Sequence, residues 1–296
     1  KNMSVENKLK IKQISLVNSS QLTDTCLNEL LGSGFTNVVS LDLTGCSNLT
    51  NLDFLEGLPN LVELLINNTG IVGDEVSKID SYCTKIVCVQ INTAVDLTKM
   101  QKAISRCATS NPEKTYTKNY SGGLRISGSL VPQLANCTDI TYLNTLGIGY
   151  YEGTVDLSNC KKMTRCGLYA NITKFILPSS VTSVYNQSAK IPDLSNCINT
   201  IQTISFNQMN GYTTSEDFTN MCKQLANSTS LQTMSLTPAT DFDFSGLEYV
   251  SGSNINTISI TRNSAWFGTF TKIKDLDLRK PSDYLEGTLH FNNLKN

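Results

Sequence analysis

Between Val38 and Ile71 the apolar residues recur in a fixed pattern. Val38, Leu41, Leu43 and Cys46 stand at positions 1, 4, 6 and 9 of a short motif, and Leu61, Leu64, Ile66 and Thr69 restate it 23 residues later. Apolar residues at positions 4 and 6 predict a short strand with those side chains inward and positions 3, 5 and 7 facing solvent. Position 9 turns the chain out of the strand. One such unit cannot bury its apolar side alone, so successive units must stack. The same spacing begins at Ile11 with Ile14, Leu16 and Ser19, and returns at Ile86, Val89 and Ile91. Weaker copies follow at Leu124 and Ile126, and at Leu143, Leu146 and Ile148. The second half is more regular, with Ile201, Ile204 and Phe206, then Leu231, Met234 and Leu236, then Ile255, Ile258 and Ile260, and last Ile273, Leu276 and Leu278.

Helical spacing fills the intervals. Thr23 to Gly32 predicts a short helix with Thr23 as N-cap, Leu27, Leu30 and Leu31 as its apolar face, and Gly32 as its stop. Residues 74–83 predict a second helical segment, and 96–108 a longer amphipathic helix carrying Leu97, Met100, Ile104 and Cys107. Thr214 followed by Asp217 predicts a capping box for a helix burying Phe218, Met221, Cys222 and Leu225. Between residues 163 and 180 two phases compete, because Met163, Cys166, Leu168 and Asn171 fit the motif and so do Ile172, Phe175, Leu177 and Ser180. Both cannot be full turns of one stack.

The motif LxxLxLxx(N/C) is that of a leucine-rich repeat. The expected fold is an α/β leucine-rich repeat solenoid, with a curved right-handed parallel β-sheet on the concave side and helices and irregular turns on the convex side. We expect a single domain, 1–296, of about ten irregular repeats, with an N-terminal repeat or cap over 1–37, a loop insertion over 109–123 and a C-terminal cap over 282–296. At Ile172 to Val184 the sequence ITKFILPSSVTSV resembles the BspA-like repeats of bacterial surface proteins, Ile172, Phe175, Leu177, Pro178, Val181 and Val184 filling LxxLxLPxxLxxI. Leu52 to Ile71 is closer to the internalin style of bacterial repeat. These resemblances imply a secreted or surface-anchored bacterial recognition module that binds a protein, possibly from a host, or a glycan, and carries no cofactor. LDLTGCSNLT also looks like the cysteine-containing repeats of F-box substrate receptors, which would imply an intracellular adaptor.

Charge narrows the partners. Lys plus Arg (24) nearly balances Asp plus Glu (25) and charged residues are only 17%, which leaves no electrostatic footprint for nucleic acid. No run reaches the roughly 20 apolar residues of a membrane helix. The chain begins at Lys1 without an initiator Met, so we expect that a signal peptide or lipid anchor has been lost upstream. Cys46, Cys137, Cys160 and Cys197 close related tetrapeptides, and LANS puts Ser228 in the same place, which predicts small buried thiols rather than disulfide halves.

Catalytic chemistry has little to draw on. His290 is the only histidine, and no nucleophile, metal or nucleotide motif surrounds it. Asp275 and Asp277 share a strand face with Arg279, as a solvated edge would. A hydrolase is therefore the most distant reading. The better candidates for contact are solvent-side strand positions of the N-terminal half, Asp42, Glu63, Asn67, Gln90, Asn92 and Arg125. Aromatics outside the motif, Tyr116, Tyr120, Tyr150 and Tyr151, with Trp266 and Phe267, could stack on sugars or anchor a protein. Further along, the columns Thr203, Thr233, Thr257 and Ser205, Ser235, Ser259 predict a hydroxyl ladder that solubilises the sheet.

Overall fold

Strand alternation in the motif becomes parallel sheet. The computed structural model describes residues 3–32, 34–108, 123–169, 171–187, 189–207, 209, 213–237, 244–250, 253–260 and 275–277. The chain forms two compact units, Lys1–Tyr151 and Glu152–Asn296. The predicted insertion up to residue 122, the C-terminal cap over 282–296, Tyr116, Tyr120, Trp266, Phe267, Arg279 and His290 lie outside the described residues.

In the first unit the elements are α1 (Val5–Lys10), β1 (Gln13–Ser15), α2 (Asp24–Leu31), β2 (Ser40–Asp42), β3 (Glu63–Leu65), α3 (Ser77–Tyr82), β4 (Cys88–Ile91), α4 (Gln101–Ala108), β5 (Gly123–Ile126) and β6 (Tyr142–Asn144). Strands β1 to β5 pair in sequence order, all parallel. The register aligns Ile14, Leu41, Leu64, Val89 and Leu124, the motif's fourth positions, in one row. Leu41, Leu64, Val89 and Leu124 are buried, as are Leu43 and Ile66 from the sixth positions. Each buried leucine contributes roughly 2 to 3 kcal/mol of apolar transfer. The row is therefore the core.

Helix α2 is capped as predicted, the Thr23 hydroxyl accepting from the Cys26 N–H and the chain leaving at Gly32. Its buried stripe is Leu27 and Leu31, whereas Leu30 is 40% exposed. Positions 27 and 31 are one helical repeat apart on one face, and Leu30 lies a full 100° round from Leu31. The expected long helix over 96–108 is divided: a 3-10 turn, Leu97–Lys99, precedes α4, while Leu97, Met100, Ile104 and Cys107 are all buried as their spacing requires. Asp80 of α3 caps α4 from the preceding repeat, its carboxylate accepting from the N–H groups of Lys102 and Ala103 and pairing with Arg106 at 3.2 Å. Asp24 of α2 does likewise for Thr50 and Asn51. At β6 the expected phase moves by three residues. Ile140, Leu143, Thr145 and Ile148 are buried and Leu146 is not, so Leu143 holds the fourth position that apolar counting gave to Leu146, and a polar Thr145 the sixth that it gave to Ile148.

The second unit contains β7 (Tyr151–Asp156), which begins at its boundary, then β8 (Arg165–Tyr169), β9 (Ile172–Ile176), β10 (Ser183–Gln187), β11 (Thr203–Asn207), α5 (Ser215–Leu225), β12 (Thr233–Thr237), β13 (Thr257–Ile260) and β14 (Asp275–Asp277). Strands β8, β10, β11, β12, β13 and β14 form one parallel ladder in that order, whereas β7 and β9 pair in a separate two-stranded sheet. This resolves the competing phases: Met163, Cys166 and Leu168 belong to the ladder, and Ile172, Phe175 and Leu177, equally buried, serve the small sheet. The run resembling a BspA-like repeat is thus divided between β9 and β10. Val181, Val184 and Asn186 are the first, fourth and sixth positions of a repeat that apolar counting passes over. Asn186 is buried and satisfied, accepting from the Ala189 N–H at 3.0 Å and donating to the Lys190 carbonyl at 3.1 Å.

Helix α5 matches its sequence signals closely. Thr214 and Asp217 cap it reciprocally, Phe218, Met221, Cys222 and Leu225 are buried, and the Phe218 ring meets Phe244 edge-on at 5.3 Å. Nine of the ten cysteines are buried and all are free thiols, Cys26 alone being exposed. The Cys46 and Cys197 thiols lie within reach of the Leu16 and Leu194 carbonyls, and the Ser228 hydroxyl donates to the Ile198 carbonyl at 2.7 Å. A weak thiol donor and a hydroxyl thus fill equivalent places.

Candidate functional site

On the side of the first sheet away from the core, the register builds two rows. One is Gln13, Ser40, Glu63, Cys88 and Gly123; the other is Ser15, Asp42, Leu65, Gln90 and Arg125. The expectation that both are solvated fails at the centre. Ser40, Glu63, Leu65 and Cys88 are all buried, Glu63 completely. Alternation decides which side a residue faces, and it says nothing of whether that side is covered.

A carboxylate without water needs donors. Glu63 takes one from the Ser40 hydroxyl at 2.8 Å and another from the Cys88 thiol. Burial first, and then the Glu63 charge, push the Cys88 thiol up to about 12, against the opposing pull of Arg125. Glu63 is therefore a structural anchor within the sheet, not the displayed contact residue expected from its position.

The remaining predicted residues surround this buried centre. Asp42 is half-buried and its carboxylate accepts from the Thr44 N–H at 3.0 Å, fixing the turn out of β2. Asn92 is exposed, yet both ends of its amide are used: it accepts from the Asn68 N–H and donates to the Asn68 side chain, each at 2.7 Å. That pair holds Asn68 at φ 54°, a conformation asparagine tolerates better than most residues. Asn67 is half-buried, with its side-chain carbonyl oxygen enclosed and without a hydrogen-bond partner. Gln90 and Arg125 are half-buried neighbours on β4 and β5.

A glycine turn seats against Arg125 and the end of β5 and carries Tyr150. Gly147, at φ 86°, lies so close to Arg125 that a Cβ there would stand 3.1 Å from the arginine Cγ. The Gly149 N–H then donates to the Ile126 carbonyl at 2.7 Å, and the Tyr150 carbonyl sits over Gly128 where no side chain could fit. The turn is thus pinned to the end of β5 and leaves the Tyr150 side chain 68% exposed, while Tyr151 is half-buried at the start of β7. Arginine and tyrosine are the residue types that most often dominate protein contacts.

The second unit shows the hydroxyl ladder in register. Thr203, Thr233 and Thr257 align, as do Ser205, Ser235 and Ser259, all half-buried. Two aromatic residues on the same face were overlooked from sequence. Tyr169 and Tyr185 are the seventh and fifth positions of neighbouring ladder strands, and their signal was hidden because the β10 repeat has Asn186 where an apolar residue was sought. Among the described residues, no group of three or more His, Cys, Asp or Glu side chains converges as a metal site would require, and no helix is long and apolar enough to cross a membrane.

The sequence matches no protein-family model and no curated protein. Among solved structures the chain is similar to an internalin of Listeria monocytogenes, at 14% identity over 94% of this chain and 89% of that one, with a TM-score of 0.34. It is similar also to internalin C2 of the same organism, at 17% identity, 87% and 84% coverage and a TM-score of 0.34. A leucine-rich repeat protein of Leptospira interrogans gives 9% identity, 94% and 88% coverage and a TM-score of 0.34. With scores this low, the leucine-rich repeat assignment stands on the chain's own strand register and buried rows.

Proposed function

We propose that the chain is a non-catalytic recognition module that binds a protein partner at the bacterial cell surface or outside the cell. The observation that carries this reading is the rim of the first sheet, where Gln90 and Arg125 border a buried polar centre and the glycine turn seated against Arg125 leaves Tyr150 exposed. A half-buried arginine, and a tyrosine whose turn is pinned by a backbone hydrogen bond, leave less backbone to order on association than a free loop would. The near-zero net charge favours a partner of mixed rather than strongly one-signed surface. An extracellular setting accords with a surface of Asn, Ser and Thr and with the BspA-like and internalin-style runs in the sequence.

The test is a screen of the purified chain against an array of extracellular host and bacterial proteins, repeated with Arg125→Ala and Tyr150→Ala. Each substitution is expected to weaken a genuine contact by about tenfold or more, the scale of one hot-spot residue. Binding that survives both changes would move the site elsewhere, and a silent array would count against a protein partner.

A further inference from the structure

The face of the second sheet carries a feature independent of that reading. Tyr169 and Tyr185 lie on adjacent strands with ring centroids 6.2 Å apart and planes inclined at 55°. Both are half-buried, so each ring is partly packed and partly open. The Tyr185 hydroxyl donates to Gln187 Oε1 at 2.9 Å and accepts from Asn207 Nδ2 at 3.4 Å, which fixes the ring's orientation. The register places Tyr169, Gln187, Asn207 and Thr237 in one row, and Gly167, Tyr185, Ser205 and Ser235 in the next. Gly167 puts no side chain beside the Tyr185 ring on that strand.

We propose that Tyr169 and Tyr185, with Gln187 and Asn207, form a binding site for a neutral carbohydrate. The charge of the patch selects the occupant. On this face of β8, β10, β11 and β12 the one charged residue is Arg165, at the far end of β8 from Tyr169. A nucleic acid would require a cationic track beside its stacking aromatics, and an acidic sugar would require paired cations. Neither is supplied. A neutral sugar ring presents a flat C–H face that suits tyrosine, and hydroxyls that both donate and accept. Amides and hydroxyls do the same. The neighbouring Ser205 and Thr237 continue this surface along the ladder, as a linear oligosaccharide would need.

The experiment uses the full chain and a panel of short neutral oligosaccharides (cello-, malto-, laminari-, xylo- and manno-), with heparin as an anionic comparison, read by saturation-transfer NMR and titration calorimetry. At least one neutral oligosaccharide is expected to bind, and Tyr169→Ala and Tyr185→Ala to weaken it by about tenfold or more, as loss of a stacking aromatic does. Tyr185→Phe, which keeps the ring, should retain affinity within about threefold, and Arg125→Ala should leave it unchanged. Melting curves come first; if Tyr185→Ala does not fold, Tyr169→Ala and Asn207→Ala decide. No binding across the neutral panel, preference for heparin, or unaltered binding in folded variants would overturn the proposal. Binding lost in Arg125→Ala instead would assign the sugar to the first unit and sink this site without touching the protein-contact reading.

Discussion

The two sheets obey one alternation rule and arrive at different outer faces. In the first unit the centre of that face is a buried cluster, with Glu63 held by Ser40 and Cys88, and contact residues remain only around it. In the second unit the equivalent positions are threonine and serine columns, half-buried from β11 to β13, with a tyrosine pair on β8 and β10 beside them. The devices that tie repeats together overlap. Amides donate to carbonyls of the preceding repeat in both units, as Asn48 and Asn60 do in the first and Asn196 in the second, and the first unit adds the carboxylates of Asp24 and Asp80, which accept backbone N–H groups. The lesson is that the motif specifies the core side strictly and leaves the other side free to become either a second buried layer or a solvated platform.

What the units share is a set of buried thiols, and it gives the largest expected effect. Burial pushes the thiols of Cys83, Cys88 and Cys222 up to about 12 and those of Cys160 and Cys197 to about 11, and raises Cys107 and Cys166 further, from an ordinary value of 9.0. A raised thiol pKa favours the fold only while the unfolded thiol is also neutral. The stabilisation is therefore complete below pH 9 and is lost as the pH climbs from there towards the folded values. Each such thiol costs about 1.4 kcal/mol per pH unit in that window. Urea titrations in reductant at stepped pH should show stability collapsing in both units above pH 9. The double variant Cys107→Ala, Cys166→Ala should flatten the decline by about 3 kcal/mol per pH unit; an equal decline in that variant would place its origin in other groups.

A second test separates the faces. Glu63→Ala removes a fully buried carboxylate and strands the Ser40 hydroxyl and the Cys88 thiol, and it should destabilise by about 3 kcal/mol. Ser235→Ala, at a half-buried place in the second ladder, should change stability by no more than about 0.5 kcal/mol. Similar losses for the two, measured by denaturant unfolding, would erase the distinction drawn between the faces.

A third substitution sharpens the account of the second unit. Asn186→Leu offers a better apolar sixth position and forfeits the bonds to Ala189 and Lys190. Leaving those backbone groups unsatisfied should cost about 1 to 3 kcal/mol despite the gain in hydrophobicity. A more stable variant would show that Asn186 is an ordinary core position whose polar ties are dispensable.

The amino-acid sequence by itself determined the inner rows. Leu41 and Leu64, Ile204 and Met234, the Thr23 cap and the Thr214–Asp217 capping box are local patterns, set by side-chain period and by backbone groups a few residues away. The same locality made the Thr and Ser columns readable. Tertiary structure alone decided what lies over the other side of each sheet, because coverage depends on residues far apart in the chain. That is why Glu63 could be placed on the correct side and still be misjudged as exposed, and why the glycine turn that joins Tyr150 to the end of β5 left no trace in the motif. It also decided where polar residues occupy core positions, as Thr145 and Asn186 do. Their hydrogen-bond partners exist only once the chain is folded, so apolar counting passed over Asn186 and, with it, the tyrosine pair now proposed to bind a sugar.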